Sequence, residues 1–452
     1  MKLENAVVIG GSIAGILAAR VLAEHFESVT IVETDKLPLQ PQVRIGVPQS
    51  AQPHILLTGG YRILEELFPE IGSQLIAAGA LPVDFLKELH FFRAGQWSPS
   101  GTISSDFVSV TCSRPLLEWV IRQRLKEFSQ VHFVEQHRVE SLLSNSSKTQ
   151  ITGVSIRSLT GDGVKQLHSN LVVDASGRRT RAPEWLESLG LATPSSTVID
   201  PFLGYATRLY KQPQDTTDDW KVILISQEPP DNKRLGYLAK IEGGRWIATL
   251  GGYGRDFPSL DDQGFLEFAR SLSSPKFYET IKNAEPISPI YAHRATKNRL
   301  YHYEKIQTPR GFIALGDAVC ALCPVYGQGM TVSALSAVVL KDWLSDGQFQ
   351  SSRFQQKLAK SNSFAWTVAT QMDLSFPTTS GGKTRKPNLL SKILTWYSQQ
   401  VVISANSNVA IQALNIEIFH LLKSPLALYH PQVIFQVLIR NKALRHQLAQ
   451  KA

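Results

Sequence analysis

Hydrophobic and polar positions change rhythm along the chain. Ala6–Ile9 is a short unbroken apolar run that reads as a buried strand. Ile16–Phe26 has the apolar spacing and alanine content of a helix packed on a sheet, and Val29–Glu33 reads as a second strand. In "VTCSRPLLEWVIRQRL" (110–125), Leu116, Leu117, Val120 and Ile121 form the buried stripe of a helix that begins at Arg114. Leu171–Val173 is a strand ending in Asp174, and a further apolar run stops at Gly316-Asp317. Between 195 and 300 the period shortens to two: "FLGYATRLY" (202–210) and "RWIATLGGY" (245–253) read as sheet, and "DDQGFLEFARSL" (261–272) as a helix with an acidic start. Beyond 346, "NLLSKILTWYSQQVV" (388–402) follows a flexible "TTSGGKTRKP", and "PLALYHPQVIFQVLIRNKAL" (425–444) is apolar with basic flanks. The pattern predicts an α/β chain with a β-rich stretch between 195 and 300 and apolar helical segments beyond 346. No stretch reaches eighteen unbroken apolar residues, so no spanning helix is expected.

Composition narrows the class. Of 452 residues 43% are apolar and 19% charged, as in folded soluble proteins, and the length suits two or three domains. Three cysteines, Cys112, Cys320 and Cys323, are too few for a disulfide scaffold, which makes a reducing cytoplasm the expected location. The N-terminal run reads as mature structure, since Glu4 and Asn5 interrupt it. The net charge of +9 is concentrated at the end: residues 381–452 carry nine Lys/Arg against one acid, Glu417. That tail would meet an acidic partner or an anionic membrane surface first, or else it is a basic surface that only aids solubility. No nucleic-acid partner is expected. Trp396 and Tyr397, set among lysines, suit either an interfacial helix or one packed on the body of the protein, with packing preferred.

The first turn carries the chemistry. Gly10-Gly11-Ser12-Ile13-Ala14-Gly15 is G-x-G-x-x-G with serine at the second glycine. Gly10 permits the tight turn, Ser12 is small enough for a pyrophosphate to approach the backbone, and Gly15 lets helix and strand pack closely. The helix N-terminus offers unpaired N–H groups to phosphates. Glu33 closes the second strand where a carboxylate takes a ribose hydroxyl. NAD(P) and FAD both fit such a turn.

Two later stretches favour FAD. "LVVDASGRRTRAPEWLESLG" (171–190) places Asp-Ala-Ser-Gly-Arg-Arg-Thr-Arg after a strand, and "FIALGDAVCALCPVYGQGM" (312–330) places Gly-Asp after another. With the glycine turn at 10–15, these resemble the three ordered signatures of the single-component (group A) FAD-dependent monooxygenases, the family of para-hydroxybenzoate hydroxylase. "RIGV" (44–47) resembles that family's arginine loop, and "RIGVPQSAQPHILLTGG" a bacterial branch of it. The likeness covers residues 1–345. It implies a Rossmann-like, three-layer ββα FAD-binding domain from 1–80, 104–194 and 301–345. Segments 81–103 and 195–300 would form a β-rich substrate domain, and 346–452 a helical region.

The resemblance also implies roles. Gly10 to Gly15, Glu33, Arg44, Arg114, Asp174, Gly316, Asp317, Pro324, Gly327, Gln328, Gly329 and Met330 would bind FAD, Asp317 through the ribityl chain and Gly327–Met330 at the pyrimidine edge. Arg178, Arg179 and Arg181 would serve NADH or NADPH. His54, Phe91, Tyr205 and Tyr253 are substrate candidates. The catalytic groups are those of the flavin, and no metal set stands out. Cys323 stands where relatives often carry a polar residue; with Cys320 it spells C-x-x-C, and the pair reads as buried thiols in preference to a redox pair or metal half-site. The implied reaction is hydroxylation or epoxidation of an organic substrate (phenolic, polyketide, indole or isoprenoid) by a flavin C4a-hydroperoxide, with oxygen and NAD(P)H, and the apolar basic tail tilts the choice slightly toward a lipophilic one. A reductase of the geranylgeranyl reductase type and a flavin-free binder of prenylated partners share the scaffold and stay open. A halogenase is disfavoured by the absence of W-x-W-x-I-P.

Overall fold

The computed structural model describes residues 2–99, 105–161, 163–213, 219–382 and 389–438. Its centre is a five-stranded parallel sheet, in the order Phe312–Ala314, Leu171–Asp174, Leu3–Ile9, Phe26–Val32 and Val131–Val134. Parallel strands buried on both faces need continuous apolar runs. Leu171, Val172 and Val173 supply one, and Phe312, Ile313 and Ala314 another. One face carries the antiparallel strands His137–Ser144, Ile151–Ser158 and Val164–His168. Helices Ile13–His25 and Gly329–Ser345 pack together within the same core. This is the ββα dinucleotide fold.

Two boundaries differ from the apolar pattern. The first helix starts at Ile13 rather than Ile16, because Ser12 already holds the extended N-cap conformation and Gly15 sits inside the first turn. Glycine's weak helix propensity hides that turn in the sequence. The following strand starts at Phe26 without an intervening loop, since Phe26 is fully buried and Val29, Ile31 and Val32 continue the sheet.

Above this layer lies a seven-stranded sheet ordered Tyr291–His293, Gly204–Lys211, Arg245–Gly252, Arg234–Ile241, Val222–Ile225, Leu89–Arg93 and Gln96–Trp97. Its outer face buries Ile223, Leu238, Trp246 and Leu250 against Phe265, Phe268 and Phe277 of two helices, Asp262–Arg270 and Lys276–Ile281. Its inner face packs Val222, Tyr237 and Ile247 on Phe85 and on Ile416. Strands Ser196–Asp200 and Asn298–Tyr301 pair outside this sheet and link it to Cys320–Ala321.

Among the described residues the tail forms three long helices, Ser351–Leu374, Leu389–Ala405 and Val409–Phe419. It also adds a strand, Ser380–Gly381, paired with Ile199 and Asp200, which the helical reading of 346–452 lacked. Much of "TTSGGKTRKP" and the end of the 425–444 segment lie outside the described residues. The aromatic pair divides: Tyr397 is buried and donates to the Leu428 carbonyl, whereas Trp396 is 46% exposed. No helix among the described residues is long and apolar enough to cross a membrane.

Candidate cofactor and active site

Strand register brings the three signatures together. Ile9 lies beside Asp174, and Asp174 beside Ala314, so the turns starting at Gly10, Ala175 and Leu315 leave the sheet side by side. This C-terminal edge is where open α/β sheets bind ligands. Gly10 has φ +98°, and a Cβ there would stand 2.8 Å from the Ala175 carbonyl oxygen. A Cβ on Gly15 would lie 1.8 Å from the Gly10 carbonyl oxygen. Neither position admits a side chain. Ile13 is buried beneath the turn and Ala14 is half-buried.

A buried charge cluster backs the turn. Glu33 accepts the Gly11 N–H at 2.9 Å and the Asp35 N–H at 3.0 Å. Arg44 reaches Asp35 at 3.0 Å, Glu33 at 3.3 Å and Glu118 at 2.6 Å. Arg114 donates to Ser12 Oγ at 2.9 Å and pairs with Glu118 at 2.7 Å, and Ser12 Oγ donates to Glu118. Burial opposes the Glu118 charge, but Arg114, Arg44, the Ser12 hydroxyl and Arg122 outweigh it and hold the carboxyl below its usual range. Burial likewise opposes the Arg44 charge, and Glu118, Glu33 and Asp35 keep it firmly protonated. Glu118 went unremarked in the sequence. Its signal was the i, i+4 spacing to Arg114 and to Arg122 on one helix face.

The cluster is balanced in charge, three arginines against Glu33, Asp35 and Glu118, yet it leaves donors to spare. Arg44 Nε, Arg114 Nη1, Arg122 Nε and Ser50 Oγ are buried without hydrogen-bond partners, and their residues line one small cavity beside Glu118. Buried donors are rarely left unpaired in folded proteins. Their cavity of about 10 Å³ has room for an acceptor the size of one water molecule.

The second and third signatures meet through Arg178. It pairs with Asp317 at 3.5 Å and donates to the carbonyls of Lys297 and Leu322. Asp317 keeps 31% side-chain exposure, so it stays open to a ligand hydroxyl. Burial raises its carboxyl despite Arg178, Arg299 and Arg114. Asp174 differs from its expected role at the ligand. Fully buried, it accepts from Ser176 N and Oγ and from Thr180 Oγ1, so it shapes its own turn. Arg179 and Arg181 are exposed, apart from Arg178.

Gly316 begins a short turn, and Pro324 starts another that ends at Gly327 with φ +63°. Helix Gly329–Ser345 follows, with Met330 buried in its first turn. Gln328 is buried, and its Nε2 donates to the Phe419 carbonyl at 3.3 Å, so the C-terminal region touches this loop. His420 ties the same region to helix Thr58–Leu67: its Nδ1 accepts from Thr58 N at 3.2 Å, and burial lowers its pKa to about 3. Cys320 and Cys323 are free, buried thiols with raised pKa, the state of unreactive cysteines. No cluster of metal-ligating groups occurs among the described residues.

The substrate candidates separate. His54 lies next to Ile55, which faces Gly327. Burial and the Arg114 charge lower its pKa to about 3, so the imidazole is neutral, with Nδ1 2.9 Å from the Gln52 carbonyl. A carbonyl only accepts, which puts the proton on Nδ1 and leaves Nε2 an acceptor. Tyr205 sits in register with His293, and its hydroxyl is buried without a partner. Phe91 is half-buried in register with Leu224 and carries the Arg93 guanidinium over its ring. Tyr253 is fully buried, stacks on Phe376 and is bound to Asp373. That takes it away from any open pocket. Asp373 itself was missed, since a lone acid in a helical tail carries no sequence signal.

Known proteins with the same features are found by sequence and by shape. Protein Rv3254 of Mycobacterium tuberculosis is 33% identical over 344 residues, covering 74% of this chain and 71% of that protein. The chain belongs to its family. No family model matches the sequence. By shape the chain resembles a flavoprotein/dehydrogenase from Cytophaga hutchinsonii, with TM-score 0.65 and 14% identity over 93% of each chain. It resembles the myxobacterial chondrochloren halogenase CndH, with TM-score 0.64 and 14% identity over 93% of this chain and 96% of that one. It also resembles PqsL, a probable FAD-dependent monooxygenase from Pseudomonas aeruginosa, with TM-score 0.59 and 14% identity over 83% and 94%. The chain therefore shares its fold with flavin-dependent halogenases and with an FAD-dependent monooxygenase.

Proposed function

We propose that this chain is an FAD-dependent oxidoreductase that acts as an NAD(P)H-dependent monooxygenase on an organic substrate held under the seven-stranded sheet. The observation that carries the reading is the convergence of three sequence-distant turns, with Asp317 open beside Arg178 and unpaired donors behind Ser12. The glycine turn, Arg44 and Arg114 would take the pyrophosphate, Glu33 the ribose and Asp317 the ribityl chain. Bound there, FAD would supply redox chemistry that no side chain of this site can. The protein's part is to orient the ring, exclude water and accept a substrate hydrogen bond at His54 Nε2. Exposed apolar side chains in the tail, Leu389 and Phe435 among them, support a lipophilic substrate taken from a membrane surface.

Arg178 is engaged with Asp317 and two carbonyls, which leaves exposed Arg179 and Arg181 as the cations for a nicotinamide dinucleotide. The test is to load the protein with FAD, reduce it with NADPH under argon and then admit oxygen with candidate phenolic, indole and isoprenoid substrates. Oxygen consumed in proportion to a hydroxylated or epoxidised product supports the reading. Substrate turnover that persists under argon replaces it with a double-bond reductase. A protein that stays colourless after FAD addition removes the enzyme reading altogether.

A further inference from the structure

A buried polar network joins the C-terminal region to the loop that precedes Gly327. Asp373, in helix Ser351–Leu374, is fully buried. Its Oδ1 accepts from Tyr326 Oη at 2.5 Å and from Tyr253 Oη at 3.1 Å. Its Oδ2 accepts from Asn298 Nδ2 at 2.5 Å, and Asn298 Oδ1 accepts the Cys323 N–H at 2.7 Å. One carboxylate thus holds both ends of Cys323–Tyr326, directly and through Asn298. That turn delivers the chain to Gly327, Gln328 and the N-terminus of helix Gly329–Ser345.

We propose that Asp373 is a positioning residue for the cofactor: it sets the Cys323–Gly327 turn, and with it the backbone that would lie against the flavin. The proposal rests on the FAD reading above. Three donors need both carboxylate oxygens free. A protonated carboxyl gives up part of that capacity, so one donor loses its partner. No described cation forms an ion pair with the group. Around it stand Tyr326 and Cys323 of the loop, Tyr253 and Tyr205 of the sheet, and Asp200, with Arg178 beyond Tyr205 and Cys323. Burial and Asp200 raise its pKa to about 6, against the three hydrogen bonds. Loop placement is therefore tied to pH near neutrality.

The test is FAD binding to the full chain, read by flavin fluorescence at about pH 8 and about pH 5, with thermal unfolding recorded alongside. Wild type is expected to bind about tenfold more weakly at the lower pH, the equivalent of one hydrogen bond to a charged group. Asp373→Asn is expected to bind weakly at both pH values, with a flat profile. Its amide keeps one acceptor oxygen, for Asn298, and turns Nδ2 to the two phenols, so the oxygen that held Tyr326 and Tyr253 as donors is lost. Tyr326→Phe is expected to weaken binding at the higher pH and reduce the pH dependence, and it carries the test if Asp373→Asn fails to fold. Folded variants that keep the wild-type affinity and pH profile, whatever their melting temperature, overturn the positioning role alone. A wild type that binds no FAD at either pH overturns the FAD reading, and the proposal with it.

Discussion

Glu118 and Asp373 are both buried carboxylates, and the chain stabilises them in opposite ways. Glu118 lies among three guanidiniums and one hydroxyl, and its pKa falls. Asp373 has two phenols and an amide but no paired cation, and its pKa rises to about 6. Burial penalises both charges, and the difference is what stands opposite. A full positive charge reverses the desolvation penalty, whereas neutral donors only reduce it. The cradle behind the glycine turn is therefore fixed in charge across the physiological range, and the network behind the Cys323–Gly327 turn is not.

Removing the acid from the cradle should have the largest effect. Glu118→Ala leaves Arg44, Arg114 and Arg122 without their shared counter-ion, and about 3–5 kcal/mol of stability should be lost in denaturant unfolding at neutral pH. Because the folded pKa lies below the ordinary 4.5, the contribution is complete above about pH 4.5 and is lost as pH falls through the folded value. A variant as stable as wild type would mean that the arginines are neutralised by Glu33 and Asp35 alone.

Asp373→Asn sharpens the contrast through the opposite slope. The folded pKa is raised from 3.8 to about 6, so the group's contribution is fully present below 3.8 and is lost as pH rises through about 6. Wild-type stability relative to the variant should therefore fall by about 3 kcal/mol between about pH 4 and pH 7, at 1.36 kcal/mol per pKa unit. Parallel stability curves for the two proteins would show that Asp373 does not titrate in that range.

Ser12→Ala is the mildest change. It deletes the hydroxyl between Arg114 and Glu118 but leaves their direct pair at 2.7 Å. A loss of about 1 kcal/mol is expected, with no new pH dependence. A larger loss would make Ser12 a structural member of the cradle rather than a bridge within it.

Neither of the two carboxylates was singled out beforehand. The turns around Gly10, Asp174 and Asp317 could be read directly, because each pairs an apolar strand with small residues whose local geometry is dictated by neighbours in sequence. Arg44 and Arg114 were visible through their motifs, whereas Glu118 was missed although it stands i, i+4 to Arg114. Tyr253 was read as a pocket residue, yet it lies inside because Phe376 and Asp373, more than a hundred residues later, cover it.

Sequence alone determined the strand–turn–helix pattern of the α/β layer and the three ordered turns, which rest on apolar period, glycine sterics and short-range spacing. Tertiary structure alone decided that Arg178 turns to Asp317, that Asp174 serves its own turn, and that the C-terminal helices hold the Cys323–Gln328 loop through Asp373 and Phe419. The physical reason is range: strand and helix patterns are written in neighbouring residues, whereas the charge state of a buried group depends on partners that only folding brings within 3 Å.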